Sequence, residues 1–348
     1  MPTALSTSDV YLMPAEWEKQ ASIWLSWPHN KETWPNEDNK YELMIAEYCK
    51  LVHAIALSQK VNINVGNAAL QMQAENYLQK YQLNHQNIFW HHFPTNDAWC
   101  RDHGPIFVYN QSKKKVALKW NYNAWGGKYP PFDLDNLIPG HIAGFLKAPL
   151  ITTNIILEGG SIEVNGKGTL LTTSSCLLNK NRNPSLSQFQ IEEYLHKYLG
   201  AKNILWLHDG IVGDDTDGHI DDITRFTNPS TLITVMEDDR SDENYEILKN
   251  NLELLKTFKD QDGKFFEIET LPMPKAITVD GIRLPASYAN FLITNDAVLV
   301  PIFEDKNDEK ALQIIQNAFP DRKVIGIVCK NIVWGLGTIH CLSQQEPI

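Results

Sequence analysis

Short apolar runs alternate with amphipathic segments along most of this chain, and that alternation predicts strands followed by helices. Strand patterns begin near residues 22, 105, 169, 231 and 297, where the sequence reads SIWLSWP, PIFVYN, TLLTTSS, TLITVMED and AVLVPIFED. The last four begin 62 to 66 residues apart. A polar turn, a helical pattern and a second strand follow most of them, so the chain is predicted to repeat one strand–helix–strand unit.

The helix of the third unit has clear predicted limits. Ser185 or Ser187 is a candidate N-cap, Gly200 is a candidate stop, and the strand pattern NILWL comes next. Helix-then-strand patterns also follow in the fourth and fifth units, and the first unit fits with KYELMIAEYCKLVHAIALS and VNINVG. The second unit, 111–154, is irregular and rich in Trp, Tyr and Pro.

Five loose copies of one unit favour radial or solenoidal repetition over two independent domains, even though 348 residues would by length alone suggest two. We therefore expect a single α/β unit over residues 1–348.

Polar clusters stand beside these strand patterns and carry the candidate chemistry. They read NDAWCRDHGP, LEGGSIEVNGKG, GDDTDGHIDDITRF and RLPASYANFLITN, and the first unit has no such cluster of its own. If five units surround an axis, the C-terminal GTIHCLSQQEP would fill that place and complete the ring. The side chains gathered at the centre would be Asp102, Glu158, His219, Asp221, Asn290 and Cys341.

This set of side chains can perform covalent chemistry on a cation. A cysteine attacks as its thiolate and needs a positive neighbour to lower its pKa. His219 is the obvious acid/base, with a carboxylate to orient it. The remaining carboxylates match a guanidinium, whose planar N–H groups pair with carboxylate oxygens.

Composition narrows the partners and the compartment. The formal charge of −11 and the absence of long basic runs argue against nucleic acid and anionic membranes, and would attract a cationic ligand. Residues 1–20 lack the pattern of a signal peptide, and no apolar run is long enough to span a bilayer. Five scattered cysteines without a C-x-x-C pair indicate reduced thiols and a cytoplasmic location.

Seven segments in order resemble the agmatine deiminases, which share the guanidino-modifying pentein superfamily with bacterial peptidyl-arginine deiminases. They read MPAEWEKQASIWLSWP, NDAWCRDHGP, YNAWGGKYPPFDLD, LEGGSIEVNGKGTLLTT, GDDTDGHIDD, PASYANFLITN and GTIHCLSQQEP. The resemblance implies a five-bladed, pseudo-symmetric α/β propeller of ββαβ-type units around a central site. It also implies a hydrolase that needs no metal or cofactor and converts agmatine to N-carbamoylputrescine and ammonia, a step toward putrescine and other polyamines. A homodimer is a further implication.

The resemblance also implies a role for each matched residue. Cys341 would be the nucleophile and His219 the general acid/base. Asp102 and Asp221 would hold the guanidinium, and Glu158 would partner the histidine. Trp99 would line the channel for the aliphatic chain, and Asn290 would line the site.

Several alternatives stay open at this stage. The substrate could be another guanidino compound, such as peptidyl-arginine or free arginine, or the chain could transfer the amidino group to an amine. A catalytically silent ligand-binding propeller is the non-enzymatic alternative. The acidic loop around Asp214, Asp215, Asp217 and Asp222 could bind a structural ion, although it fits the calcium loop of an EF-hand poorly. His340 and the glycines of LEGG are expected to serve packing and turns.

Overall fold

A computed structural model describes residues 10–34 and 39–348. The helices in these ranges are α1 (Lys40–Ser58), α2 (Ala68–Lys80), α3 (Cys100–His103), α4 (Ala124–Gly127), α5 (Ile138–Leu146), α6 (Ser174–Leu177), α7 (Gln188–Leu199), α8 (Asn244–Leu255) and α9 (Asp308–Ala318). The strands are β1 (Gln20–Ser26), β2 (Lys60–Asn64), β3 (Ile88–His91), β4 (Ile106–Tyr109), β5 (Lys115–Asn121), β6 (Leu150–Ile156), β7 (Glu163–Val164), β8 (Thr169–Thr173), β9 (Asn203–Leu207), β10 (Thr224–Asn228), β11 (Thr231–Met236), β12 (Glu267–Pro272), β13 (Thr278–Val279), β14 (Ile282–Arg283), β15 (Leu292–Ile293), β16 (Ala297–Ile302), β17 (Lys323–Val328) and β18 (Ser343–Pro347).

Five small sheets share one pairing pattern. In each, a middle strand runs antiparallel to the strand on one side and parallel to the strand on the other. The sheets are β18-β1-β2, extended by β3, then β4-β5-β6, β7-β8-β9, β10-β11-β12 and β15-β16-β17. Strands β13 and β14 form a separate hairpin. The described residues thus contain five copies of a β-β-α-β arrangement.

The parallel pair in each sheet explains why a helix recurs. Parallel neighbours need a crossover connection, and a helix is the usual solution. The helices α1, α5, α7, α8 and α9 make these five crossovers. The sequence limits of α7 are confirmed, because Ser187 caps it through a reciprocal bond with Gln190 and Gly200 ends it with φ 71°.

The chain end closes the first sheet, as expected. Strand β18 pairs antiparallel with β1, with Ile23 opposite Gln345 and Leu25 opposite Ser343. The buried C-terminal strand therefore carries the loop in front of it, including Cys341, into the interior.

The second unit differs from its prediction. Residues 111–154 contain β5, α5 and the start of β6, so they hold a strand and a crossover helix like the other units. The strand near residue 105 is the first strand of its sheet, whereas those near 22, 169, 231 and 297 are middle strands. The irregular composition of this segment hid the true middle strand, β5.

The remaining expectations concern the thiols and the termini. All five cysteines are free and buried. Within the described ranges, no helix is both long enough and apolar enough to cross a membrane. The prediction that residues 1–20 lack a signal peptide falls partly on residues 1–9, which lie outside the described residues.

Candidate active site

The predicted site residues come from five segments, each just ahead of the first strand of a sheet. Asp102 lies in α3 before β4, Glu158 before β7, His219 and Asp221 before β10, Asn290 before β15, and Cys341 before β18. All six side chains are buried. The contacts below show that the fold brings them together.

Asn290 holds the loop that carries Cys341. Its Oδ1 accepts hydrogen bonds from Thr338 Oγ1 at 2.7 Å and from the His340 amide at 3.0 Å. Its Nδ2 lies 3.1 Å from Cys341 Sγ and can donate to it. Asn290 therefore lies behind the sulfur and supports it, and is not among the residues that line the cavity described below.

Asp221 lies beside the sulfur, and Asp102 lines the same cavity as Cys341. Asp221 Oδ2 lies 3.9 Å from Cys341 Sγ, and Asp221 Oδ1 has no hydrogen-bond partner among the described residues. Asp102 accepts from Trp125 Nε1 at 2.9 Å and from the Gly160 amide at 3.0 Å. Trp125 makes this contact from a left-handed backbone with φ 54°, which is unusual for a bulky residue and is a form of strain found at functional sites.

His219 lies between the acids. Its Nδ1 is 3.8 Å from Asp102 Oδ1, and neither ring nitrogen makes a well-formed hydrogen bond within the described part of the chain. Glu158 has one carboxylate oxygen bound to Arg182 Nε at 2.6 Å. Ligand atoms of Glu158 and His219 lie within 4.8 Å of each other, so the expected pair are neighbours without a direct hydrogen bond.

Burial and charge set the protonation of these groups. Burial raises the pKa of the Cys341 thiol well above its ordinary value, and the carboxylates of Asp221, Asp222 and Asp102 add to that. Burial also raises the pKa of Asp102 to about 6, against the opposing effect of His219. For His219, burial lowers the pKa, but Asp102 and other neighbours raise it well above the ordinary value. These directions favour a neutral thiol on Cys341 and an imidazolium on His219 before substrate arrives.

The glycines of LEGG let the backbone lie close to neighbouring groups, which corrects the expectation that they only form a turn. A Cβ on Gly160 would lie 2.5 Å from His219 Nδ1, 3.0 Å from Asp102 Oδ1 and 3.1 Å from Asp221 Oδ2. A Cβ on Gly159 would collide with the carbonyl oxygen of Arg101. Neither glycine has a positive φ. The backbone here must pass where a side chain cannot fit.

A cavity of about 890 Å³ leads to this cluster. Trp99, Asp102 and Cys341 line it, and the role of Trp99 beside the aliphatic chain of a substrate stays a prediction. Its ring lies 5.3 Å from that of Trp34 and 6.3 Å from that of Trp125. The carboxylates lining the cavity are Glu32, Asp97, Asp102, Asp135, Asp215 and Asp280, and the lysines are Lys31 and Lys128.

The acidic loop before His219 is held by protein groups. Asp214 accepts from the amides of Thr216 and His219 at 2.8 Å each, which shapes the turn. Asp217 binds Arg182, and Asp215 binds Lys128 at the cavity wall. Asp222, also named in that loop, is buried beside Asp221.

Sequence reasoning missed His340 and Glu16. His340 Nδ1 lies 2.6 Å from Asp221 Oδ2, and His340 Nε2 lies 2.8 Å from Glu16 Oε2. Glu16 also binds Arg225 at 2.8 Å. Glu16 lies in MPAEWEKQASIWLSWP and His340 lies in GTIHCLSQQEP. Neither motif indicates that these two side chains contact each other in the fold.

The family model of the Porphyromonas-type peptidyl-arginine deiminases matches residues 12–347. The chain belongs to this family. Membership makes it a deiminase, a hydrolase acting on carbon–nitrogen bonds of linear amidines.

Relatives of this deiminase share its full length. The agmatine deiminase of Pseudomonas syringae pv. tomato is 36% identical over 372 residues, covering 100% of this chain and 99% of that protein. The structure of the Enterococcus faecalis agmatine deiminase superposes with a TM-score of 0.89 and 35% identity, covering 97% of this chain and 96% of the other. The structure of a substrate-bound C. jejuni agmatine deiminase superposes with a TM-score of 0.88 and 33% identity, covering 99% of this chain and 98% of the other. The α/β fold is therefore that of the agmatine deiminases.

Proposed function

We propose that this deiminase hydrolyses agmatine to N-carbamoylputrescine and ammonia through a covalent intermediate on Cys341. The observation that carries the proposal is the cluster itself, in which a thiol, an imidazole and two carboxylates meet at one end of an acidic cavity. Full-length relatives named as agmatine deiminases support the same substrate.

The charge of the cavity favours agmatine over arginine. Agmatine carries a guanidinium and an ammonium, whereas free arginine also carries a carboxylate that needs a cation. Among the described residues, six carboxylates line the cavity against two lysines, and Lys128 is bound to Asp217 at 2.9 Å. None of the six arginines of the chain is among the lining residues. A dication is therefore the better electrostatic match.

Asp102 and Asp221 would bind the guanidinium nitrogens on either side of the reacting carbon. Asp221 Oδ1 has no partner among the described residues, and the planar carboxylates suit paired N–H donors. The arriving cation offsets the negative field that keeps Cys341 protonated, so the pKa of the thiol falls and its proton passes to water in the cavity. The thiolate then adds to the guanidinium carbon, assisted by the Asn290 donor 3.1 Å from the sulfur.

His219 would serve both halves of the reaction. As imidazolium, it protonates the departing nitrogen of the tetrahedral adduct, so ammonia leaves and an S-alkylthiouronium remains on Cys341. As neutral imidazole, it then takes a proton from water, which attacks the same carbon. Collapse breaks the C–S bond, the hydroxyl proton passes to the departing sulfur and restores the Cys341 thiol, and the ureido product is released. General acid/base help of this kind contributes about 10² to 10⁴-fold.

We further propose that residues 1–348 form one five-bladed α/β propeller. Five sheets with one pairing pattern, the closure of β18 onto β1 and the meeting of all five pre-strand segments support this arrangement. A cytoplasmic location, a homodimer and the lack of a nucleic-acid partner stay predictions.

A substrate panel in the presence of EDTA tests the function. Purified protein is assayed for ureido formation and ammonia release with agmatine, free arginine, arginyl peptides and an amine acceptor. We expect turnover with agmatine alone, and none in Cys341→Ser or His219→Ala. The Cys49→Ala variant is the matched control, since Cys49 is a buried thiol in α1.

The other outcomes separate the alternatives. Equal efficiency on arginine or peptides would overturn the agmatine assignment and leave the chemistry intact. Amidine transfer to the amine would replace hydrolysis by transferase activity. Near-normal activity in either active-site variant would refute the covalent mechanism.

A further inference from the structure

The side chain beside the nucleophile in sequence is enclosed by two carboxylates. His340 is buried, and its Nδ1 and Nε2 lie 2.6 Å and 2.8 Å from oxygens of Asp221 and Glu16. An ionised carboxylate can only accept a hydrogen bond, so each short contact places the proton on the imidazole nitrogen. A carboxylate oxygen thus faces each ring nitrogen of His340, so the surroundings can accept a hydrogen bond from both.

We propose that His340 is a positioning residue for the deimination, a protonated imidazole that keeps Asp221 ionised and fixes one of its oxygens so that the other can receive the guanidinium. The inference rests on the proposed function for its catalytic consequence, although the charge of His340 can be measured without it. Asp221 lies 3.9 Å from Cys341 Sγ, whereas the ring nitrogens of His340 contact Asp221 and Glu16, so His340 acts through Asp221.

The second carboxylate stabilises this cation from behind. Glu16 is buried, binds Arg225 at 2.8 Å and lies 3.9 Å from Arg101. Although burial alone raises the pKa of Glu16, Arg225, His340 and Arg101 lower it well below its usual range. Glu16 thus remains a carboxylate and a permanent acceptor for His340 Nε2.

Charged and titratable side chains from every neighbouring element surround the pair His340 and Asp221. They are Glu16 from the N-terminal segment, Arg101 and Asp102 from α3, Glu163 from β7, His219 and Asp222 beside Asp221, Arg225 from β10, and Cys341. Arg225 is held by both Glu16 and Glu163, at 2.8 Å and 2.9 Å. Because these arginines are already paired with acids, the cation in hydrogen-bond contact with Asp221 is His340.

The two acids of the site show what His340 changes. Asp102 receives hydrogen bonds only from neutral donors, Trp125 and the Gly160 amide, and burial raises its pKa to about 6. Asp221 is equally buried and burial pushes its pKa upward too, but the hydrogen bond and charge of His340 lower it below the ordinary value. A charged partner is the difference between them.

The backbone of His340 has a separate, structural task that side-chain variants preserve. Its amide donates to Asn290 Oδ1 at 3.0 Å, and its carbonyl accepts from Arg101 Nε at 3.2 Å. These bonds hold the Cys341 loop whatever the side chain is. A substitution of the imidazole therefore tests its charge with little change to the loop.

The first test is the pH profile of kcat/KM in His340→Gln, with His92→Gln as control, because His92 is exposed and hydrogen-bonds to the side chain of Gln71. Glutamine can still donate a hydrogen bond but carries no charge. We expect kcat/KM for agmatine to fall about tenfold to a hundredfold near neutral pH. We also expect its acidic limb to move to higher pH, since the pKa of Asp221 rises without the cation. A purely structural role would instead lower kcat/KM by one factor at all pH values, and that result overturns the proposal.

The second test reads the charge of His340 in the wild-type protein. His340–Cys341 is the one His-Cys pair in the sequence, so labelling with ¹³C,¹⁵N-histidine and ¹⁵N-cysteine selects its signals. We expect both ring nitrogens of His340 to carry protons at the pH of the activity assay. A neutral ring at that pH overturns the proposal even if His340→Gln does not fold. If the wild type deiminates none of the panel compounds, the proposed function fails, while this spectrum still decides the charge of His340.

Discussion

The two guanidinium-binding aspartates have the same side chain and nearly the same burial, yet they differ in pKa. Asp102 pairs with an indole and an amide, and its pKa is raised to about 6. Asp221 pairs with His340, and its pKa is lowered. The donor that each aspartate accepts from therefore decides the difference in pKa between them. Asp102, which has the higher pKa, governs how activity falls at low pH.

At the residue scale, the raised pKa of Asp102 predicts an acidic limb in kcat/KM centred near 6. As pH falls through that value the carboxylate protonates and loses its attraction for the guanidinium. An unperturbed aspartate would place the limb about two units lower. Because the pKa of His219 is raised, the general acid stays protonated through neutral pH and activity extends to the alkaline side.

A profile of kcat/KM for agmatine from about pH 4 to about pH 10, with enzyme stability checked at each pH, measures this limb. Full efficiency persisting down to about pH 4.5 would contradict the assignment of Asp102 as a binding carboxylate with a raised pKa.

The sequence was informative about which residues bear chemistry and much less so about their partners. Cys341, His219 and Asp102 stand in segments whose order and motifs mark them, and the structure brings them together. Asp221 and Asp222 are adjacent and chemically identical, so no pattern could say which one contacts His340. Contacts between residues more than a hundred positions apart depend on the completed fold.

At the scale of elements, short irregular segments supply the side chains and the glycines of the site. The turn Gly159–Ser161 passes so close to α3 that Gly159 meets the backbone of Arg101, and Gly160 meets His219 and both aspartates. Long helices lie outside this contact and serve as crossovers. Close approach of backbone to catalytic side chains is a typical use of glycine.

Gly160→Ala is expected to remove activity because the new methyl group would lie within 3.1 Å of three site atoms. Displacements of about 1 Å in such a site cost about 100-fold, so we expect at least that loss in kcat/KM. Gly144→Ala is the matched control, because nothing lies within 4 Å of its Cβ position in α5. The control should keep full activity and gain up to about 1 kcal/mol in free energy of unfolding. Comparable kcat/KM in the two variants would show that Gly160 does not border the reacting groups.

Elements were predictable where periodicity was clean. Helix α1 was anticipated over Lys40–Ser58, and α7 from its cap and its glycine stop. The middle strand β5 was missed because lysines flank its apolar residues, and α5 because IPGHIAGFL holds a proline and two glycines, which are poor helix formers. Packing against β5 and β6 stabilises that helix in spite of its composition.

At the scale of the whole molecule, the site exists only when both ends of the chain are in place. Its residues run from Glu16 to Cys341, and β18 is joined to β1 by backbone pairing. Glu346 reinforces that closure, since one of its oxygens accepts from Ser22 Oγ at 2.6 Å and from Trp24 Nε1 at 3.0 Å. Its other oxygen binds the ammonium of Lys115.

This closure predicts an unusual sensitivity two residues from the C-terminus. Glu346→Ala would leave the buried Trp24 N–H and the Ser22 hydroxyl without their acceptor and Lys115 without its counter-charge. Breaking a buried ion pair in this way costs about 3–5 kcal/mol. Glu253→Ala is the control, because Glu253 makes an exposed pair with Lys256, for which the cost is about 0 to 1 kcal/mol.

Urea unfolding should separate the two variants by the midpoint of the transition, and residual activity of Glu346→Ala should disappear at that same midpoint. If the two variants unfold at the same urea concentration, the C-terminal strand does not hold the first sheet together, and Cys341 must be positioned by its own loop.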